Sequence, residues 1–335
     1  MSQKSFRTAI NEALRQEMER DSDIVLIGED IAGGIGGKGE EDAWGGVMGV
    51  TKGLLGAFGP DRVLDTPISE TAYIGASVGA AAAGLRPVAE LMFCDFLGVC
   101  FDQVMNQAAK FRYMFGGKAS MPLVIRMQVG AGFSASAQHS QTLHSLLTHS
   151  PGLKVVMPSN PFDAKGLLIE SIRDNDPVMF LENKVMYDDV GDVPDDAYTI
   201  PLGIANVTRS GGDVTIVGFG RMANFANEAA DQLAKDGIQA TVIDLRSSSP
   251  LDDETILESL EETGHLVVVD EGSPRCGLAA DIAALAATRG LHALEAPVSL
   301  VTPPHTPVPF APVLEGLYLP SPERIVIAVR EVLEV

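Results

Sequence analysis

The chain has 335 residues, enough for two domains of ordinary size, and its 46% hydrophobic and 21% charged residues mark a globular, core-forming protein. A formal charge of −21 at pH 7 argues against nucleic acid or anionic membrane as partners. It fits a cytoplasmic protein, or one whose partner is more basic.

The opening segment MSQKSFRTAINEALRQEMERD mixes acids and bases and lacks the apolar core of a signal peptide. Phe6, Ile10, Ala13, Leu14 and Met18 recur at helical spacing, which predicts a first helix. No run of about 18 apolar residues occurs anywhere, so no membrane-spanning helix is expected. Residues 23–28 read as a short buried strand. Glu29 and Asp30 stand at its carboxyl end, the edge where open α/β sheets take ligands. Gly34-x-Gly36-x-x-Gly39 has the letters of a dinucleotide fingerprint. However, Glu40, Glu41 and Asp42 repel phosphate, and further glycines forbid the helix N-terminus that a pyrophosphate needs.

Residues 53–58 predict a short helix and 62–64 a strand. The stretch LDTPISETAYIGASVGAAAAGLRPVAE (64–90) then organises the chain. Ser69 is placed to cap a long Ala/Gly helix through its hydroxyl, and Glu70 falls in the first turn, where the peptide dipoles favour negative charge. With almost no bulky side chains, this helix is expected to lie against other backbone. By physics alone, Glu70 is equally a dipole partner or a chemical group. Residues 88–93 form a strand. Residues 95–113 read as a helix with Phe96, Val99, Val104, Ala108 and Phe111 inward.

Strands over 123–128, 154–157 and 177–182 alternate with a loop GAGFSASAQHSQ and a helix over 161–173, which argues for a parallel, doubly wound sheet. Residues 184–205 carry Asp188, Asp189, Asp192, Asp195 and Asp196 among Gly and Pro and read as a linker between a domain over 1–183 and another over 206–335. The second domain has strands at 214–218, 239–244, 265–270 and 298–301, and helices at 222–236, 253–263 and 277–289. A Pro-rich extended segment at 303–312 and a closing helix at 322–333 complete it.

Other patterns compete for function. Gly75-Ala-Ser77-Val-Gly79 has the G-x-S-x-G form of a hydrolase elbow, but that serine belongs on a strand-to-helix turn and Ser77 falls two turns inside a helix. Helical packing is the favoured reading, with a serine hydrolase kept as a different class. His139, His144 and His149 are spaced by five, which turns successive helical side chains about 140° apart, so the three cannot share one metal. A buried structural histidine is the ordinary reading for each, but His139 sits in a loop of small residues after a strand end. Asp174 and Asp176 read as a solvated turn. Cys94, Cys100 and Cys276 lack metal-ligand spacing and read as reduced, mostly buried thiols.

DTPISE (65–70), GAAAAGLRPVAELMFCDF (79–96), FDQVMNQAAKFRYMFGG (101–117), QHSQ (138–141), PGLKVVMPSNPFDAKGLL (151–168) and IRDNDPV (172–178) together resemble the β subunits of the thiamine diphosphate-dependent component of 2-oxoacid dehydrogenase complexes. EEDAWGGVMGVTKGL (40–54), ELMFCDFLGVCFDQ (90–103) and PPHTPVPFAPVLE (303–315) are similar to the acetoin dehydrogenase branch. The resemblance implies two doubly wound α/β domains, a thiamine-diphosphate-fold pyrimidine-binding domain and a transketolase C-terminal-like domain used for assembly.

By the same resemblance Glu70 drives tautomerisation of the cofactor's aminopyrimidine, Ile68 bends the cofactor, and Phe96 and Met92 line the pyrimidine pocket. His139 assists proton transfer or delivery to a lipoyl acceptor, and Glu29 lies in a channel between paired sites. Ser171, Asp174 and Asp176 match a monovalent cation (K+) site, although Asp176 stands where the family often has asparagine. Thiamine enzymes hold diphosphate and Mg2+ with Gly-Asp-Gly followed by Asn, oxygen ligands for a hard cation. Gly191-Asp192-Val193 and Gly212-Asp213-Val214 do not complete that pattern. The resemblance therefore implies an α subunit carrying the diphosphate half, an α2β2 heterotetramer, and a lipoyl acyltransferase as acceptor. Acetoin is the implied substrate, with pyruvate or a branched-chain 2-oxoacid as alternative. A scaffold without chemistry is disfavoured by the contexts of Glu70 and His139.

Overall fold

The computed structural model describes residues 1–32 and 44–334. The glycine fingerprint at Gly34, Gly36 and Gly39, with Glu40, Glu41 and Asp42, lies outside the described residues. The chain divides into two compact units, Met1–Val129 with Leu146–Val156 and Asn160–Leu202, and Gly130–Ser145 with Met157–Ser159 and Gly203–Val335.

In the first unit, β1 (Ser2–Ser5) leads into α1 (Phe6–Arg20), where the Ser5 hydroxyl accepts from the Thr8 N–H at 3.1 Å. The inward stripe of α1 is the one its spacing demands, with Phe6, Ile10, Ala13, Leu14 and Met18 all buried. There follow β2 (Ile24–Glu29), α2 (Leu54–Phe58), β3 (Val63–Thr66), α3 (Glu70–Ala82) and β4 (Arg86–Phe93). Next come α4 (Leu97–Asp102), α5 (Ala109–Met114), β5 (Val124–Val129), α6 (His144–Thr148, whose first two residues belong to the second unit), β6 (Lys154–Val156), α7 (Pro161–Arg173), β7 (Val178–Asn183) and β8 (Val190–Val193). The parallel strands of this unit stand in the order β6-β7-β5-β4-β2-β3. The chain leaves β2 toward β3 on one side and returns to β4 on the other. The topological switch point, where such sheets bind ligands, therefore lies at the carboxyl ends of β2 and β4.

Four expectations are corrected here. Ser69 is the N-cap residue of α3, but its hydroxyl donates to the Pro67 carbonyl at 3.0 Å and caps no helix N–H. In this chain α3 is one-sided. Tyr73, Ile74, Ser77, Val78 and Ala81 are buried, whereas Thr71, Ala72, Ala76, Gly79 and Ala82 face outward. The helix after β4 is not uniform, because residues Gln103–Ala108 form a π segment between α4 and α5. Val99, expected inward, is 58% exposed. A π insertion shifts every later side chain around the axis, which a regular helical count cannot anticipate.

The stretch expected as a linker is packed structure up to Leu202. Strand β8 pairs antiparallel with β1, Ser2 opposite Val193. Tyr198 and Ile200 lie over α7, so close that a Cβ on Gly166 would meet both at under 3 Å. The acidic residues that made this stretch look like a solvated tether are partly used in pairing. Lys165, fully buried, donates to Glu12 at 3.0 Å and to the Pro194 and Asp195 carbonyls at 2.7 and 3.1 Å.

The second unit comprises β9 (Asn206–Arg209), β10 (Val214–Gly218), α8 (Arg221–Lys235), β11 (Ala240–Asp244), β12 (Ser247–Ser249), α9 (Asp253–Thr263), β13 (Leu266–Val269), α10 (Leu278–Arg289), β14 (Ser299–Val301), α11 (Pro312–Tyr318) and α12 (Pro322–Leu333). Its sheet order is β14-β13-β10-β11-β9, parallel except for β9. The switch point of this sheet falls between β10 and β13. Helix α12 starts where Ser321 and Pro322 require, the Ser321 hydroxyl accepting from the Arg324 N–H. Of the three thiols, Cys94 and Cys100 are buried as expected but Cys276 is exposed.

Candidate active site

At the switch point of the first unit, three adjacent strands end together. Glu29 closes β2, Asp65 and Thr66 close β3, and Met92 and Phe93 close β4. The turn Pro67-Ile68-Ser69 carries the chain from β3 into α3, so Glu70 opens a 13-residue helix on that edge. Met92 occupies a β-bulge, since Leu91 pairs with Met127 and Phe93 with Gln128. A bulge re-aims a side chain that regular pleating would point elsewhere. Phe96, half-buried, stands edge-on to Phe93 at 5.7 Å between ring centres, and the buried Lys184 ammonium lies 5.8 Å over Phe93.

Glu70 is 7% exposed, whereas Ile68, two residues earlier, is 78% exposed. The charge of Glu70 is felt by its surroundings. Burial, then Asp30 and then Glu70 push the Glu29 carboxyl above the usual carboxylate range. Burial and Asp30 likewise raise Asp65, although the Ala32 N–H donates to it at 2.8 Å. Burial and Glu70 raise the Tyr73 phenol, whose hydroxyl has no hydrogen-bond partner among the described residues. The buried Cys100 thiol is pushed up to about 12, again by burial and then Glu70. Asp30 adopts φ +57°, an uncommon backbone for a non-glycine residue and one that recurs at functional sites. Glu29, Asp30, Asp65, Glu70 and Tyr73 thus form an acidic, partly desolvated group beside an apolar rim of Ile68, Met92 and Phe96. Tyr73 and Asp65 were missed in the sequence, although Tyr73 follows Glu70 at the i+3 helical spacing and Asp65 opens DTPISE.

Ser77 lies inside α3, 1% exposed, with its hydroxyl donating to the Tyr73 carbonyl at 2.8 Å. It is a helix-packing residue, and the serine hydrolase reading is withdrawn.

Around Ser171, Asp174 and Asp176, where the resemblance implies a monovalent cation, protein cations pair with the two aspartates. The Lys154 ammonium donates to Asp174 at 2.5 Å, and Arg112 donates to Asp176 at 2.7 Å. Arg86 caps the Ile172 and Asp174 carbonyls at 2.9 and 2.6 Å, and the Ser171 hydroxyl is turned back onto the Leu167 carbonyl at 2.6 Å. These side chains are committed to ion pairs and helix termination, as a turn at a helix end favours.

In the second unit, His139 ends a 3-10 turn, Ala137–His139, and is half-buried. Its loop closes on itself where the Gly130 N–H donates to the Gln141 carbonyl at 3.1 Å. The loop's second half lines a cavity of about 580 Å3 with Glu271, His305 and Tyr318. His144 is fully buried, its Nε2 3.3 Å from Asp270 and its ring edge-on to Phe219, whereas His149 is exposed. The ordinary reading of a buried structural histidine therefore fits His144 and fails for His149.

Residues 2–189 match the family described as "Transketolase, pyrimidine binding domain", and residues 203–325 match "Transketolase, C-terminal domain". The chain also superimposes on a split-gene transketolase, an inactive beta4 tetramer, with a TM-score of 0.78 over 98% of both chains at 24% identity. Fold and domain matches define a transketolase-like two-domain protein.

Full-length relatives narrow this. The chain is 62% identical to the acetoin:2,6-dichlorophenolindophenol oxidoreductase subunit beta of Cupriavidus necator and 57% identical to that of Bacillus subtilis, each over 98% of this chain and 97% of the relative. Identity to the 2-oxoisovalerate dehydrogenase subunit beta of Bacillus subtilis is 41% over the whole of both chains. The chain belongs to the family of acetoin and 2-oxoacid dehydrogenase β subunits, and is an oxidoreductase component rather than a scaffold.

Proposed function

We propose that this chain is the β subunit of a thiamine diphosphate-dependent enzyme that cleaves acetoin, releases acetaldehyde, and passes the acetyl unit to a lipoyl group whose disulfide is the oxidant. The observation that carries the reading is Glu70, buried at the first turn of α3 on the switch-point edge, beside an exposed Ile68 and a half-buried Phe96. A buried carboxylate next to apolar and aromatic groups fits a flat ring with one nitrogen to be held, which is the pyrimidine half of the cofactor. The Tyr73 hydroxyl, without a hydrogen-bond partner among the described residues, is a further polar group there. When bound, thiamine diphosphate supplies a nucleophilic carbon for the substrate carbonyl. Glu70 then holds the proton at a pyrimidine ring nitrogen, and the dipole of α3 and burial keep that carboxylate in place. Ile68, Met92 and Phe96 pack the ring and exclude water. Glu29, whose affinity for a proton is raised by burial, Asp30 and Glu70, adds a second carboxyl group near Glu70.

The diphosphate and Mg2+ half is assigned to an α subunit in an α2β2 assembly. Asp192 accepts from the Gln3 side chain at 2.6 Å and Asp213 from the Gln239 N–H at 2.6 Å, and neither stands in a completed Gly-Asp-Gly pattern. His139 is assigned to proton transfer toward the lipoyl acceptor, and the acyltransferase that carries it is the partner. A cytoplasmic location is part of the same proposal. Among the described residues no helix is long and apolar enough to cross a membrane. Coexpression with the α subunit, followed by dye-linked and lipoyl-linked assays on acetoin, pyruvate and 2-oxoisovalerate, tests the reading. Preference for acetoin is expected, and turnover of a 2-oxoacid without acetoin would overturn the substrate.

A further inference from the structure

A loop of the second unit, residues 131–136, is held by two buried acids, one of them at the switch-point edge directly after β13. Asp270 and Glu271, directly after β13, and Glu315 on α11 are 2%, 6% and 2% exposed. Glu315 accepts from the Gly132 N–H at 2.8 Å through one oxygen. Its other oxygen accepts from the Ser134 N–H at 2.9 Å and the Ser134 hydroxyl at 3.2 Å. Glu271 accepts from the Ala131 N–H at 2.6 Å, and Asp270 meets His144 at 3.3 Å. Between these points the backbone is forced. Gly132 has φ +101°, while Ser134 and Ser136, which carry Cβ atoms, have φ +53° and +64°. Non-glycine residues persist in that region only where surrounding bonds over-determine them. The turn Ala137–His139 starts directly after Ser136.

We propose that Glu315 is a positioning residue for His139. Its carboxylate folds the 131–136 loop into the strained shape that delivers the 137–139 turn, and the C-terminal unit thereby sets the geometry of the acyl-transfer histidine as well as serving assembly. The inference rests on the reading of His139 given above. The chemistry at Glu315 is specific to two acceptor oxygens on one group. Three donors converge on it, and charge-assisted bonds of this kind are the stronger class. Replacement by an amide presents an N–H to an N–H and leaves at least one partly buried donor without its acceptor.

The test uses Glu315→Gln, His139→Ala and the double variant in the α/β holoenzyme, with amide exchange measured on the full-length variants. For Glu315→Gln, exchange at Gly132 and Ser134 is expected to accelerate about tenfold or more, while β10 and β13 stay protected. The kcat of the lipoyl-linked reaction is expected to fall about tenfold with KM unchanged, since displacement of a reacting group by about 1 Å costs up to about 10²-fold. The double variant should lose no more than His139→Ala alone, because the two act through one group. Unchanged exchange at Gly132 and Ser134 would overturn the clamp, and multiplying losses in the double variant would overturn the link to His139. Wild-type lipoyl-linked rates for His139→Ala would instead remove the catalytic reading of His139 and the kinetic half of this proposal. The exchange result is separate, since it does not depend on His139.

Discussion

Glu70→Gln separates chemistry from local stability at the site. Gln preserves the volume and one acceptor oxygen at a position that is 7% exposed in the first turn of α3, so the fold is expected to remain. What is lost is a group able to carry the proton of the pyrimidine nitrogen. Loss of such a partner costs roughly 10²–10⁴ in rate. That corresponds to about 3–5 kcal/mol of transition-state stabilisation at 1.36 kcal/mol per decade. If Glu70 served only the helix dipole, the cost would be about 0.3–1 kcal/mol of stability. That loss would itself be offset by relief of the repulsion with Glu29. At about 2.1 cal/mol/K per residue, 1 kcal/mol moves the Tm of a 335-residue chain by about 1.5 °C, so the variant is expected within about 2 °C of wild type. The assay is dye-linked acetoin oxidation by the reconstituted α/β enzyme, with calorimetric Tm on the same samples. Removing the charge should also lower the pKa of Glu29, measurable by carboxylate NMR. Activity within about twofold of wild type would refute the assignment of Glu70.

The purified chain alone is expected to bind thiamine diphosphate with Mg2+ weakly, because it supplies only the pyrimidine half; calorimetry showing micromolar or tighter binding would contradict the half-site. Arg126 donates to Glu90 at 2.7 Å and to both Glu182 oxygens at 2.7 and 2.8 Å, all buried, with the Tyr187 hydroxyl on Glu182 at 2.6 Å. Arg126→Met therefore strands two buried carboxylates and should cost about 3–5 kcal/mol in urea unfolding, a loss under about 1 kcal/mol being the adverse result. The folded pKa of Glu29 is raised, so its contribution is fully present below the ordinary carboxyl value of 4.5 and is lost as pH rises through the folded value. Glu29→Gln should accordingly raise Tm at pH 7 to 8 and leave it unchanged at pH 4; an equal gain at both would sink the argument.

The local rules of the chain were enough for much of this protein. The apolar spacing of Phe6, Ile10, Ala13, Leu14 and Met18, the Asn160-Pro161 start of α7 and the Ser321-Pro322 start of α12 each require their helix wherever it packs, because caps and periodicity act within a few residues. Alternation of buried strands and helices likewise required parallel sheets, and DTPISE placed Glu70 at a strand-to-helix turn. Other features depended on groups far apart in the chain. The π segment Gln103–Ala108 and the bulge at Met92 change the phase of side chains without any local signal strong enough to announce it. Residues 184–202 looked like a tether because their acids are solvating in isolation. They became packed structure once Gly166 opened a place for Tyr198 and Ile200. Asp174 and Asp176 read as a solvated turn in isolation, but Lys154 and Arg112 arrive from distant segments to pair with them. Glu315 lies 181 residues from Ser134, and only the folded chain brings that carboxylate to the loop N–H groups, because hydrogen-bond partners are chosen by space rather than by sequence distance.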